Sequence, residues 1–70
     1  MDAREWKIMG HTFMALADYI EKNGGNARAA YDAAEDAFSR AKELTEEGTT
    51  EHERLKALQY NAQANGRGKK

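Results

Sequence analysis

The side chains with catalytic or ligating potential in this chain are few and widely spaced. Its histidines are His11 and His52, and it has no cysteine. Zinc needs three or four converging nitrogen, sulfur or oxygen donors. His11 with Asp18 one heptad on, or His52 between Glu51 and Glu53, falls short of such a set. No metal and no cofactor is expected, and both histidines read as solvated or capping groups. Ser39 is the chain's one serine, on a charged stretch with no histidine nearby, so an activated nucleophile has no base to work with. Carboxylates occur in pairs, Glu35/Asp36, Glu46/Glu47 and Glu51/Glu53. Acid–base work needs such pairs to line a cleft with raised pKa values, and a chain this short has little interior for one. The glycine stretches Asn23-Gly-Gly-Asn26 and Gly66-Arg-Gly68 lack the GxxxxGK[ST] pattern and follow no strand, so they do not cradle phosphate. No enzymatic activity is expected.

Charge is the next signal. The net charge is −1, but it is segregated along the chain. Residues 1–31 balance acid against base, residues 32–53 are strongly acidic, and residues 54–70 carry Arg54, Lys56, Arg67, Lys69 and Lys70 with no acid. An acidic middle and a basic end attract each other, within one molecule or between two. Arg67, Lys69 and Lys70 are candidate nucleic-acid contacts of a salt-sensitive, non-specific kind. The acidic middle and the absence of a helix with base-reading residues argue against this as the main function. No run approaches the length of a membrane span and nothing resembles a signal peptide, so no membrane partner and a cytoplasmic location are expected.

The elements that position these groups read as helices. Proline is absent, strand-forming residues never alternate with polar ones, and glycine signals fall at 23–26 and 48. The fold class expected is all-α: an antiparallel hairpin of helices 3–22 and 27–47, with a shorter third helix at 51–64. Together they form a three-helix bundle, with residues 1–65 as one domain and residues 66–70 as a disordered basic tail. Asp2 is placed to cap the first helix, and Asn23 or Gly24 to close it in a left-handed turn. Asn26 is the expected N-cap of the second helix and Gly48 its C′ residue. Thr50 with Glu53 is the expected capping box of the third. Glu46 and Glu47 would then sit unfavourably at the C-terminus of the second helix, answered by Arg54, Lys56 or a basic patch on another protein.

The stretch Trp6–Ile20 is the expected organising element. Trp6, Met9, Phe13, Leu16 and Ile20 form one apolar stripe, with Gly10 and Ala17 along its edge. Ile8, Thr12, Ala15 and Tyr19 form a second, with Met14 at its margin. The second helix turns Ala27, Ala30, Tyr31, Ala34, Ala37, Phe38, Ala41 and Leu44 inward, and the third contributes Leu55 and Leu58. Trp6-x-x-Met9-Gly10-x-x-Phe13 resembles the first-helix spacing of a tetratricopeptide repeat, and Ala34-x-x-x-Phe38-x-x-Ala41 resembles the second. The likeness covers a handful of positions, the two blocks lie farther apart than in the repeat, and there is no second copy. What it implies is that alternating bulky and small residues pack a tight antiparallel hairpin.

A domain of 70 residues has a thin stability margin, and this one has neither disulfide nor metal as a staple. Association is the option left, so Ile8, Thr12, Met14, Ala15 and Tyr19 are the candidate interface of a homodimer. Asp32, Glu35, Asp36 and Glu43 are the candidate partner-facing acidic face. The functional expectation is a non-catalytic interaction protein, a regulator or inhibitor of the phage or mobile-element type, that binds a larger protein partner. The alternative is a small nucleic-acid-associated regulator.

Overall fold

The computed structural model describes residues 2–67. Helices α1 (Ala3–Lys22), α2 (Arg28–Glu43) and α3 (Thr50–Arg67) follow one another, and the described residues contain no strand. Both ends of α1 fall where the sequence places them. Asp2 accepts from the Glu5 amide at 2.9 Å, and Glu5 reaches back to the Asp2 amide at 3.3 Å, a reciprocal capping box. At the other end the Gly25 amide donates to the Ile20 carbonyl and the Gly24 amide to that of Glu21, a Schellman closure. Gly24 takes the left-handed turn at φ +79°, while Gly25 is needed for room: a Cβ there would stand 2.8 Å from Ile20 Cγ2.

Helix α2 starts with the Asn26 side chain accepting from the Arg28 amide at 2.9 Å, so Asn26 supplies the cap although Ala27 is the boundary residue. Its end departs from expectation. The helix stops at Glu43 and not at Glu47, because the Leu44 and Thr45 amides donate to the Ala41 and Lys42 carbonyls in tightened turns. The Thr45 hydroxyl also donates to the Lys42 carbonyl at 2.8 Å, a local bond that competes with further helix. Gly48, at φ +86°, therefore shapes the connection and is not the C′ residue of α2. Leu44, expected in the core, is 56% exposed beyond the helix end. Glu46 and Glu47 lie in the connection ahead of α3, on the side where a helix dipole favours negative charge.

Helix α3 is capped by Thr49, whose hydroxyl oxygen accepts from the His52 amide at 3.2 Å. The expected box of Thr50 with Glu53 does not form, since the cap sits one residue earlier and places His52 at the third helical position. His52 Nδ1 lies 3.1 Å from Thr45 Oγ1. This contact ties the α2–α3 connection to the first turn of α3. At its far end α3 runs to Arg67, past the expected end near 64, with Gly66 buried against α2. A Cβ on Gly66 would stand 3.2 Å from Tyr31 Cβ. Residues 66 and 67 are thus helix and not tail. The remainder of the expected tail, residues 68–70, lies outside the described residues.

The organising element is α2 and not α1. It packs against both other helices and buries Ala30, Tyr31, Ala34, Ala37, Phe38 and Ala41, whereas α1 buries only Gly10 and Ala17. Alanine on α2 lets both neighbours approach closely, and Phe38 fills the space they share. Around Phe38 gather Ala34, Ala41, Leu55 and Ala62, with Trp6, Phe13, Met14 and Leu58 packed against them. A second cluster joins Ala17, Ala27, Ala30 and Tyr31 with Met14 and Ile20. Gly10 is where α1 meets α2, since a Cβ there would lie 2.5 Å from Phe38 Cε1. Helices α1 and α3 are tied directly by Lys7 and Glu51 at 3.0 Å.

Candidate interaction surface

The position of α2 between its neighbours decides what α1 leaves uncovered. α2 covers one side of α1 and α3 lies against α2, so among the described residues no helix packs on the opposite side of α1. Ile8 is 58% exposed, Tyr19 66% and Leu16 46%, with Thr12 and Ala15 exposed between them. At 100° per residue, Ile8, Thr12, Ala15 and Tyr19 fall within an arc of about 60°. Leu16 widens it on one side. The Thr12 hydroxyl donates to the Ile8 carbonyl at 2.9 Å, so its hydrogen-bonding need is met inside the helix and the residue adds no polar demand to the face. Exposed apolar residues scattered singly are ordinary; these share one side of one helix.

Two residues are placed otherwise than the sequence suggests. Met14 is half-buried and packed against both core clusters, so it belongs to the interior and not to this surface. Leu16, counted with the core stripe, belongs to the surface. On the helical projection it sits between the two stripes, and a single neighbouring helix as slender as the alanine-lined α2 does not reach around to it.

The acidic residues Asp32, Asp36 and Glu43 are exposed and Glu35 is half-buried, all on the outer arc of α2. They are not equally free. Asp36 Oδ2 holds Arg40 Nε at 3.0 Å, and the Arg40 guanidinium lies 5.1 Å from the centre of the Trp6 ring. Asp32 stands beside Gly66 at the end of α3. Among the candidate nucleic-acid contacts, the backbone of Arg67 closes α3, and Lys69 and Lys70 lie outside the described residues.

The remaining polar groups have local structural roles. His11 sets its ring edge-on to Phe38 with centroids 5.2 Å apart, and His52 joins the α2–α3 connection to α3. Tyr31 donates from its hydroxyl to Glu21 across the α1–α2 interface. Among the described residues no three histidine, aspartate or glutamate side chains gather as a metal site, and no helix is long and apolar enough to cross a membrane.

Compared with protein-family models, with curated proteins and with solved structures, the chain matches none.

Proposed function

We propose that this chain is a non-catalytic protein-interaction module, a regulator or inhibitor that works by occupying the surface of a larger protein. The observation that supports this reading is the outer face of α1. Ile8, Leu16 and Tyr19 are large apolar side chains held in water by a helix whose other side is already anchored. Burying each on a partner is worth up to about 1.5–3 kcal/mol, and aromatic side chains are enriched at such contacts. The acidic arc of Asp32, Glu35, Asp36 and Glu43 gives a second surface that would steer a basic partner. The test is affinity capture from the source cell, with the native chain and an Ile8→Glu/Tyr19→Lys variant as parallel baits. A protein held by the native chain and lost by the variant supports the reading, and equal capture by both overturns it.

A nucleic-acid-associated role is the second reading. Lys56 and Tyr60 are exposed one turn apart on α3, which carries no acid after Glu53. A cation beside an exposed aromatic is the kind of pair that holds single strands without sequence preference. Gel shifts at two salt concentrations, with the native chain and with Lys56→Glu, decide it. Absence of binding at low salt removes it.

A further inference from the structure

We propose that Met14 is an oxidant-responsive site, at which conversion to the sulfoxide by a peroxide loosens α1 from α2. Met14 lies off the outer face of α1, so the site stands whatever that face binds. Gly10, Met14 and Ala17 follow one another at i, i+4 and i+7 along the side of α1 turned to α2, and Gly10 and Ala17 are buried. The two small residues bring the helices close, and Met14 reaches between them. Among the described residues it is the one side chain packed against both core clusters, that of Phe38, Leu55 and Ala62 and that of Ala27, Ala30 and Tyr31. An unbranched thioether suits this place, since its three rotatable bonds let it follow two surfaces at once.

The same place is open to oxidant. Met14 is half-buried, whereas Phe38 and Leu55 have no exposed surface, so a small peroxide reaches it without global unfolding. The chain has no cysteine, and no thiolate consumes the oxidant first. A sulfur lone pair attacks one peroxide oxygen, the S–O bond forming as the O–O bond breaks. The departing hydroxide takes up the proton left on the new S–OH group, giving water. Sulfur is oxidised by two electrons and the peroxide is reduced by two. The product is polar and chiral at sulfur, and its oxygen seeks hydrogen-bond donors. The clusters around Met14 offer carbon, and the Tyr31 hydroxyl already donates to Glu21. The oxygen must either leave the junction, taking Met14 with it, or stay at a desolvation cost. In both cases α1 loses packing on α2. Met9 is the internal control, half-buried on the same helix but joined to neither cluster.

The experiment treats the full chain with hydrogen peroxide at neutral pH and locates the added oxygen by peptide mass spectrometry. In Met9→Leu, oxidised at Met14, the urea midpoint followed by circular dichroism should fall by roughly 1 M. Methionine sulfoxide reductases with a thiol reductant should restore it. In Met14→Leu, a swap that conserves core volume, the midpoint should not move on oxidation, although Met1 and Met9 gain their oxygens. Met14→Ile replaces this variant if it folds poorly. A Met9→Leu chain that keeps its midpoint after Met14 is oxidised overturns the proposal, as does an equal fall in the chain without Met14. Oxidation of Met14 only at urea concentrations that unfold the chain overturns it too.

Discussion

Gly10→Ala is the substitution that interrogates the packing most sharply, because helix propensity and tertiary contact pull it in opposite directions. In an open helix interior, replacing glycine by alanine stabilises by about 1 kcal/mol. Here the new Cβ would stand 2.5, 2.6 and 2.7 Å from three atoms of the Phe38 ring. Carbon atoms rest at roughly 3.5–4.0 Å, so ring or helix must retreat by about 1 Å. Phe38 has no exposed surface and is enclosed by Ala34, Ala41, Leu55 and Ala62, which leaves the ring no vacant direction. Overpacking of this kind costs roughly 1–3 kcal/mol. The gain in propensity offsets only part of it, and the expected net effect is a loss of up to about 2 kcal/mol. Urea denaturation followed by circular dichroism reads this as a lower midpoint at unchanged slope. Phe38→Leu should lower the native chain's stability but penalise the Gly10→Ala background less, because the crowding is relieved. A Gly10→Ala chain more stable than the native one would refute the close crossing of α1 and α2.

Two paired comparisons test the rest of the fold. Thr49→Ala should cost about 1 kcal/mol as the loss of an N-cap, and Thr50→Ala should fall within about 0.5 kcal/mol of the native chain. The reverse ranking would restore the capping box at Thr50. Leu55→Ala should cost about 2–5 kcal/mol because it empties the centre of the core, whereas Leu44→Ala, beyond the end of α2, should cost well under 1 kcal/mol; thermal melts of the two variants distinguish them.

How far the sequence disclosed this architecture depended on whether the deciding interaction was local. The ends of α1 were legible because Asp2, Glu5, Gly24 and Gly25 act within a few residues of one another. The inward alanines and Phe38 of α2 were legible from their period. The end of α2 was not. Lys42 to Glu47 has good helix formers, and the stop depends on Thr45, whose hydroxyl donates back to the Lys42 carbonyl and stands 3.1 Å from His52 Nδ1 of the next helix. Thr49 and Thr50 are equally good caps by type, and only the path of the connection chooses between them. The buried Gly66 was read as tail because a glycine in a polar stretch signals flexibility, whereas here it packs closely on α2, where a Cβ would stand 3.2 Å from Tyr31 Cβ.

The exposed face of α1 was half visible. Ile8, Thr12, Ala15 and Tyr19 stood out as a stripe apart from the core, but assigning Leu16 and Met14 to one side or the other needed the position of α2. Sequence periodicity gives the angle between residues on a helix and not the direction from which the neighbour comes. With α2 as the shared partner of both other helices, α1 is covered from one side only, and the uncovered arc follows.

The most direct measurement of the central claim, that α1 is covered from one side only, is NMR of the native chain's side-chain signals in the presence of a soluble nitroxide. Ile8, Leu16 and Tyr19 should be strongly relaxed, and Phe38 and Leu55 should be protected. Protection of Ile8, Leu16 and Tyr19 equal to that of Phe38 would contradict it.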